Sequence, residues 1–149
     1  MQSKLLSRNG RERVFAVIME KGDEVIECLK QFAESEQLSA AQLTAIGAFS
    51  DAVLHYFDWD KKEYLDIPVR EQVEVASMVG DVALGPDGKR SLHVHLVLGR
   101  RDGSALAGHL GEAHVRPTLE VIISESPAHL QKVYDPETGL ALIRPRADA

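Results

Sequence analysis

The sequence holds a single cysteine, Cys28, which excludes an intrachain disulfide. It holds no apolar run near the roughly 18 to 20 residues that a bilayer-spanning helix needs, so no membrane segment is expected. The first residues, Met1 to Arg13, are polar and basic and lack the apolar core of a secretory signal, which makes the cytoplasm the expected compartment. Positive charge is in deficit: 17 Lys and Arg stand against 23 Asp and Glu, a formal net charge of −6. That balance argues against nucleic-acid affinity through bulk electrostatics and leaves room only for a local basic patch. Also missing are a Gly-x-Ser-x-Gly nucleophile elbow, a phosphate loop and a dinucleotide fingerprint. There is no internal repeat, low-complexity tract or linker.

What is present fits one domain over residues 1–149, with frayed termini expected at about 1–10 and 145–149. Hydrophobic content of 44% and charged content of 27% are ordinary for a soluble globular protein. Arg13 to Met19 reads as a buried strand, and Glu20 to Asp23 as a turn with Asp23 at the N-cap. From Glu24 to about Glu36, Val25, Ile26, Leu29, Phe32 and Ala33 recur at helical spacing and form one apolar stripe. Cys28 lies near this helix and reads as a quiet structural residue more than as a nucleophile, since nothing near it in sequence would obviously activate a thiol. Ser39 to Gln42 reads as a bend or one more helical turn.

Strand patterns follow at Leu43 to Phe49, Val53 to Phe57, Lys62 to Ile67 and Val69 to Val82, the last with Val73, Val75, Ser77 and Val79 on one parity. Gly85 to Gly88 is a turn signal. Ser91 to Leu98 is a further strand; Ala105 to Gly111 and Val115 to Ser124 are strand-like, the first broken by glycines and the second by Pro117. Leu130 to Tyr134 and Leu140 to Ile143 flank a last turn. One main helix among many strands predicts an α+β fold, a mostly antiparallel sheet in a single compact domain.

The chemistry concentrates in Leu92-His93-Val94-His95-Leu96. Strand side chains alternate between faces, so His93 and His95 share one face and sit about 6 to 7 Å apart at Cα. Such a pair can converge on one ion at roughly 2.0 to 2.1 Å per nitrogen. If Arg101-Asp102-Gly103 is a three-residue loop with Gly103 left-handed, His95 faces His109 directly; a two-residue loop would turn His109 to the other face. Three histidines without a fourth protein ligand describe an open site, suited to zinc and then to copper, nickel or iron. From spacing alone, this reading stands level with His93 and His95 being half-buried polar residues on a sheet face. His55 reads as a packed strand residue, His129 as a loop residue and His114 as a reserve ligand. Glu120 is either an outward strand glutamate or an acid or base near the site.

The ordered motifs Gly22-Asp23-Glu24-Val25, Ala45-Ile46-Gly47-Ala48, Leu92-His93-Val94-His95-Leu96, Asp102-Gly103, Gly108-His109-Leu110 and Thr118-Leu119-Glu120-Val121 resemble the plant and prokaryote conserved domain, also called domain of unknown function 296. The resemblance spans roughly Arg13 to Ile143. It implies an α+β fold, a homotrimer and, as in some prokaryotic members, a metal held by His93, His95 and His109. Plant members carry an AT-hook built on Arg-Gly-Arg-Pro, whereas this chain has only Arg144-Pro145-Arg146. They also carry Gly-Arg-Phe-Glu-Ile-Leu where this chain reads Glu71 to Ala76 and keeps only Glu74. Strong autonomous DNA binding is therefore not expected. The expectation is a metal-binding domain, a small-molecule sensor or a metal-assisted activity; the alternative is a DNA-associated regulatory or protein-interaction module. A purely structural trimer would leave the histidines without a ligand.

Overall fold

A computed structural model describes residues 1–145; of the expected frayed tail, residues 146–149 lie outside the described residues. In chain order the elements are β1 (Gln2–Asn9), β2 (Glu12–Glu20), α1 (Val25–Ser35), β3 (Ala40–Asp58), β4 (Glu63–Val69), β5 (Val73–Leu84), β6 (Arg90–Gly99), β7 (Ala105–Glu125), β8 (Lys132–Asp135) and β9 (Leu140–Ile143). The α+β expectation holds, with the helix a minor component.

The apolar stripe of α1 buries Val25, Leu29, Phe32 and Ala33, and Ile26 and Cys28 pack partly against the same core. Phe32 meets Phe15 of β2 edge to face, with ring centroids 5.2 Å apart. The cap differs from expectation. Glu24 is the N-cap, its carboxylate accepting the Glu27 N–H at 2.6 Å, while Asp23 accepts the Glu20 N–H and closes the preceding turn. The longer glutamate reaches the open helix terminus, where negative charge is favoured.

Seven strands form one antiparallel sheet in the order β1-β2-β7-β6-β5-β3-β4, and a further pairing of β7 with β3 closes a circuit through β6 and β5. Two long strands make that closure possible. β3 joins the two runs read separately as Leu43 to Phe49 and Val53 to Phe57, and takes in Ala40 to Gln42 as well. β7 joins Ala105 to Gly111 with Val115 to Ser124. The breaks in the sequence pattern are irregularities inside these strands. Pro117, which has no N–H, falls in the gap between the pairs Gly47–Leu119 and Phe49–Val115. A Cβ at Gly47 would come within 2.2 Å of the Thr118 carbonyl oxygen, so only glycine lets β3 approach β7 there. β8 and β9 form a separate hairpin.

Two expectations are corrected. Residues 2–9, expected to fray, pair with β2 as an edge strand whose side chains are all exposed. The strand is held by backbone hydrogen bonds and buries nothing, so it leaves no apolar pattern to read. In β5 a register shift between Val75 and Ser77 reverses the expected parity: Val73, Val75 and Met78 are buried, while Val79 is 49% exposed. This bulge brings Val79 and Asp81 onto the same outer face as the histidines of β6.

Candidate metal centre

The β6–β7 hairpin turns through the expected three-residue loop. Gly103 has φ +82°, its N–H donates to the Arg100 carbonyl at 3.0 Å, and the Arg100 N–H donates to Ser104 O at 2.8 Å. Asp102 Oδ1 accepts from both the Ser104 amide at 2.9 Å and its hydroxyl at 2.6 Å, which fixes the tip. The resulting register sets His95 opposite His109 and Leu96 opposite Gly108. Leu92, Val94, Leu96 and Leu98 turn toward the core, while His93 and His95 are exposed.

The three imidazoles converge. One ring nitrogen from each of His93, His95 and His109 lies within 4.8 Å of the other two. His93 Nε2 and His95 Nε2 are 3.1 Å apart, and the His95 and His109 ring centroids are 4.0 Å apart. Two nitrogens bound tetrahedrally to one zinc are separated by about 3.3 Å. The His93–His95 pair already stands near that spacing, and three imidazole donors would suit a divalent metal with a fourth position open.

The electrostatics agree with that fit. Burial lowers the His109 pKa to about 4, helped by repulsion from His95, His93 and His55. Burial, then His93, lowers His95 as well. Both rings are thus held neutral, the form that ligates metal. Behind His93, on β5, stands Asp81, with Oδ2 3.5 Å from His93 Nδ1. Burial acts to raise the Asp81 pKa, but contact with His93 and the Lys132 ammonium outweighs it and leaves the carboxyl below its ordinary value. Lys132 Nζ lies 3.1 Å from Asp81 Oδ1, an ion contact without hydrogen-bond alignment. Tyr64 of β4 stands edge-on to His109 at 5.1 Å and forms one wall.

The other sequence candidates lie elsewhere. His55 pairs with His109 through the backbone, but its Nε2 faces Asp66 at 3.2 Å. A Cβ at Gly111 would meet the His55 ring at 2.5 Å, so that glycine serves strand packing. His114, the reserve ligand, is engaged by Asp51 at 2.8 Å. His129 Nδ1 pairs with the Ser39 hydroxyl at 2.6 Å. Glu120 stays outside the histidine cluster, on an outer surface shared with Ile18, Ile46, Val79 and Ile122. Asp81, Lys132 and Tyr64 escaped the sequence reading. Asp81 had a signal: the Gly85–Gly88 turn pairs Leu84 with Arg90, which carries Asp81 to His93.

The family model for the Plants and Prokaryotes Conserved (PCC) domain matches residues 6–127. The chain belongs to this family. A solved PCC relative, a plant- and prokaryote-conserved protein from Pyrococcus horikoshii, is 28% identical; 98% of this chain and 96% of that one are covered, with a TM-score of 0.82. A metal-containing protein from Archaeoglobus fulgidus is 33% identical over 89% of this chain and 93% of that one, with a TM-score of 0.81. A candidate DNA-binding protein from Bacteroides thetaiotaomicron is 25% identical over 95% and 96%, with a TM-score of 0.83. Among curated proteins nothing matches.

Proposed function

We propose that this PCC domain protein binds a divalent metal, zinc first, through His93, His95 and His109, with a fourth position open to water or a small molecule. The observation that carries the reading is the convergence of three imidazole nitrogens within 4.8 Å on an accessible sheet face. The similarity to a metal-containing archaeal protein supports it. A bound zinc would polarise a ligand oxygen or lower the pKa of bound water. The chain's own part is to hold the three rings together across the β6–β7 hairpin and leave one direction open, as a sensor or a metal-assisted site on an unidentified small molecule requires. Elemental analysis of protein purified without a histidine tag or added metal tests this. About one zinc per chain is expected, sharply reduced in His95→Ala and retained in His129→Ala; equal content in both variants rejects the assignment.

The reading includes a cytoplasmic homotrimer. Ile46, Val79, Val97 and Ile122 lie on the outer sheet surface at 38 to 61% exposure, the apolar material an assembly would cover. Sedimentation at micromolar concentration showing monomer alone would reject the trimer. A second reading, a DNA-associated regulatory module, is favoured by the similarity to the Bacteroides protein. It requires a DNA or protein partner retained in a pull-down, which the metal reading does not.

A further inference from the structure

We propose that Asp81 is a positioning residue that selects Nε2 of His93 as the ligating atom, and that Lys132 of the separate β8–β9 hairpin holds Asp81 to that task. The metal itself rests on the reading above; the arrangement rests on contacts at three points. Asp81 faces His93 directly across the β5–β6 ladder, and its Oδ2 lies 3.5 Å from Nδ1. Its other oxygen, Oδ1, lies 3.1 Å from Lys132 Nζ. Lys132 also donates to Ser91 Oγ at 3.3 Å, and its side chain is only 5% exposed.

A neutral imidazole carries one proton and can offer a lone pair to a metal only from the other nitrogen. Of the ring's two nitrogens, Nδ1 lies 3.5 Å from the carboxylate, an ion contact, and Nε2 lies 3.1 Å from His95 Nε2. A carboxylate only accepts, so it draws the proton to Nδ1 and leaves the Nε2 lone pair aimed into the cluster. Lys132 explains why the carboxylate stays where it is. A nearly buried ammonium is costly unless paired, and Asp81 is the carboxylate that pairs it. With one oxygen tied to Lys132, Asp81 is restrained from swinging into the cluster as a ligand. The hairpin that carries Lys132 is itself fixed to β5, since the Leu84 N–H donates to Leu130 O at 2.9 Å. The C-terminal hairpin thus enters the site indirectly, as a brace.

The test uses the full chain stripped of metal by a chelator, with two readouts. Long-range proton–nitrogen spectra report the His93 tautomer, and competition with a chromophoric chelator reports the zinc Kd. The metal-free wild type should hold His93 with its proton on Nδ1, and Asp81→Ala should shift the proton toward Nε2. Asp81→Ala should raise the zinc Kd about 10- to 100-fold, the usual cost of losing an outer-shell partner. Asp81→Asn, which keeps an acceptor, should fall between it and wild type. Lys132→Met should move both readouts in the same direction as Asp81→Ala. A wild-type His93 protonated on Nε2 overturns the proposal, as does a folded Asp81→Ala with a Kd within about twofold of wild type. If Asp81→Ala does not fold, the tautomer in wild type and Asp81→Asn decides. If wild type binds no zinc, the metal reading fails, and the tautomer alone decides the role of Asp81.

Discussion

His109 and His114 lie on the same strand, β7, yet their surroundings push their protonation in opposite directions. His109 is crowded by burial and by three other imidazoles, and its pKa falls to about 4. His114 hydrogen-bonds Asp51, which raises its pKa above the ordinary value, and Ser50 and His114 together hold Asp51 below its own. The first environment gathers three imidazoles at one point and disfavours a proton on His109 and His95. The second completes its own charge balance. Local partners, more than residue type or strand, separate a histidine whose proton is disfavoured from one held in an ion pair.

The largest expected effect removes what both regions share. Leu29→Ala in α1, which packs on β6 and β7, should destabilise the fold by about 2 to 5 kcal/mol in urea denaturation. A change within error would remove α1 from the core at that position. Next, His109→Ala should weaken zinc binding by about 100-fold or more, beyond the roughly 10- to 100-fold of an outer-shell change. His114→Ala should leave zinc affinity unchanged. Comparable losses in the two variants would erase the contrast.

Acidity should separate the pair further. The native state disfavours a proton on His109, so its contribution to stability is present above the ordinary pKa of 6.5 and is lost as pH falls toward about 4. His114 acts in the reverse sense: its contribution is present below 6.5 and is lost as pH rises through its raised native pKa. Urea midpoints of the metal-free protein, measured across this range for wild type, His109→Gln and His114→Gln, should show these opposite slopes. Smaller still, Asp51→Asn should cost at most about 1 kcal/mol, because the pair is solvent-screened. It should also return the His114 pKa toward its ordinary value in an NMR titration. Duplex DNA should bind no tighter than micromolar; submicromolar, salt-sensitive binding would overturn that expectation.

The contrast also marks what was legible in the sequence. The alternation of Leu92 to Leu98 put His93 and His95 on one face, because it is a local signal, whereas the register of His109 stayed open between two loop lengths until the left-handed Gly103 decided it. The helix stripe was legible for the same reason. β1 was not, since it buries no side chain. The outward turn of Val79 was hidden by a bulge that no residue of β5 announces. Pro117 and Gly47 read as breaks because a sequence shows the lost hydrogen bond or side chain and not the strand that continues past it. Lys132 was out of reach: its contact with Asp81 depends on how a distant hairpin docks on β5.

Zinc-edge X-ray absorption on the tagless protein tests the central claim most directly. The expected spectrum has three imidazole nitrogens at about 2.0 to 2.1 Å and one further oxygen or nitrogen, with an imidazole lost in His109→Ala. A sulfur scatterer, or a spectrum that His109→Ala leaves unchanged, would contradict it.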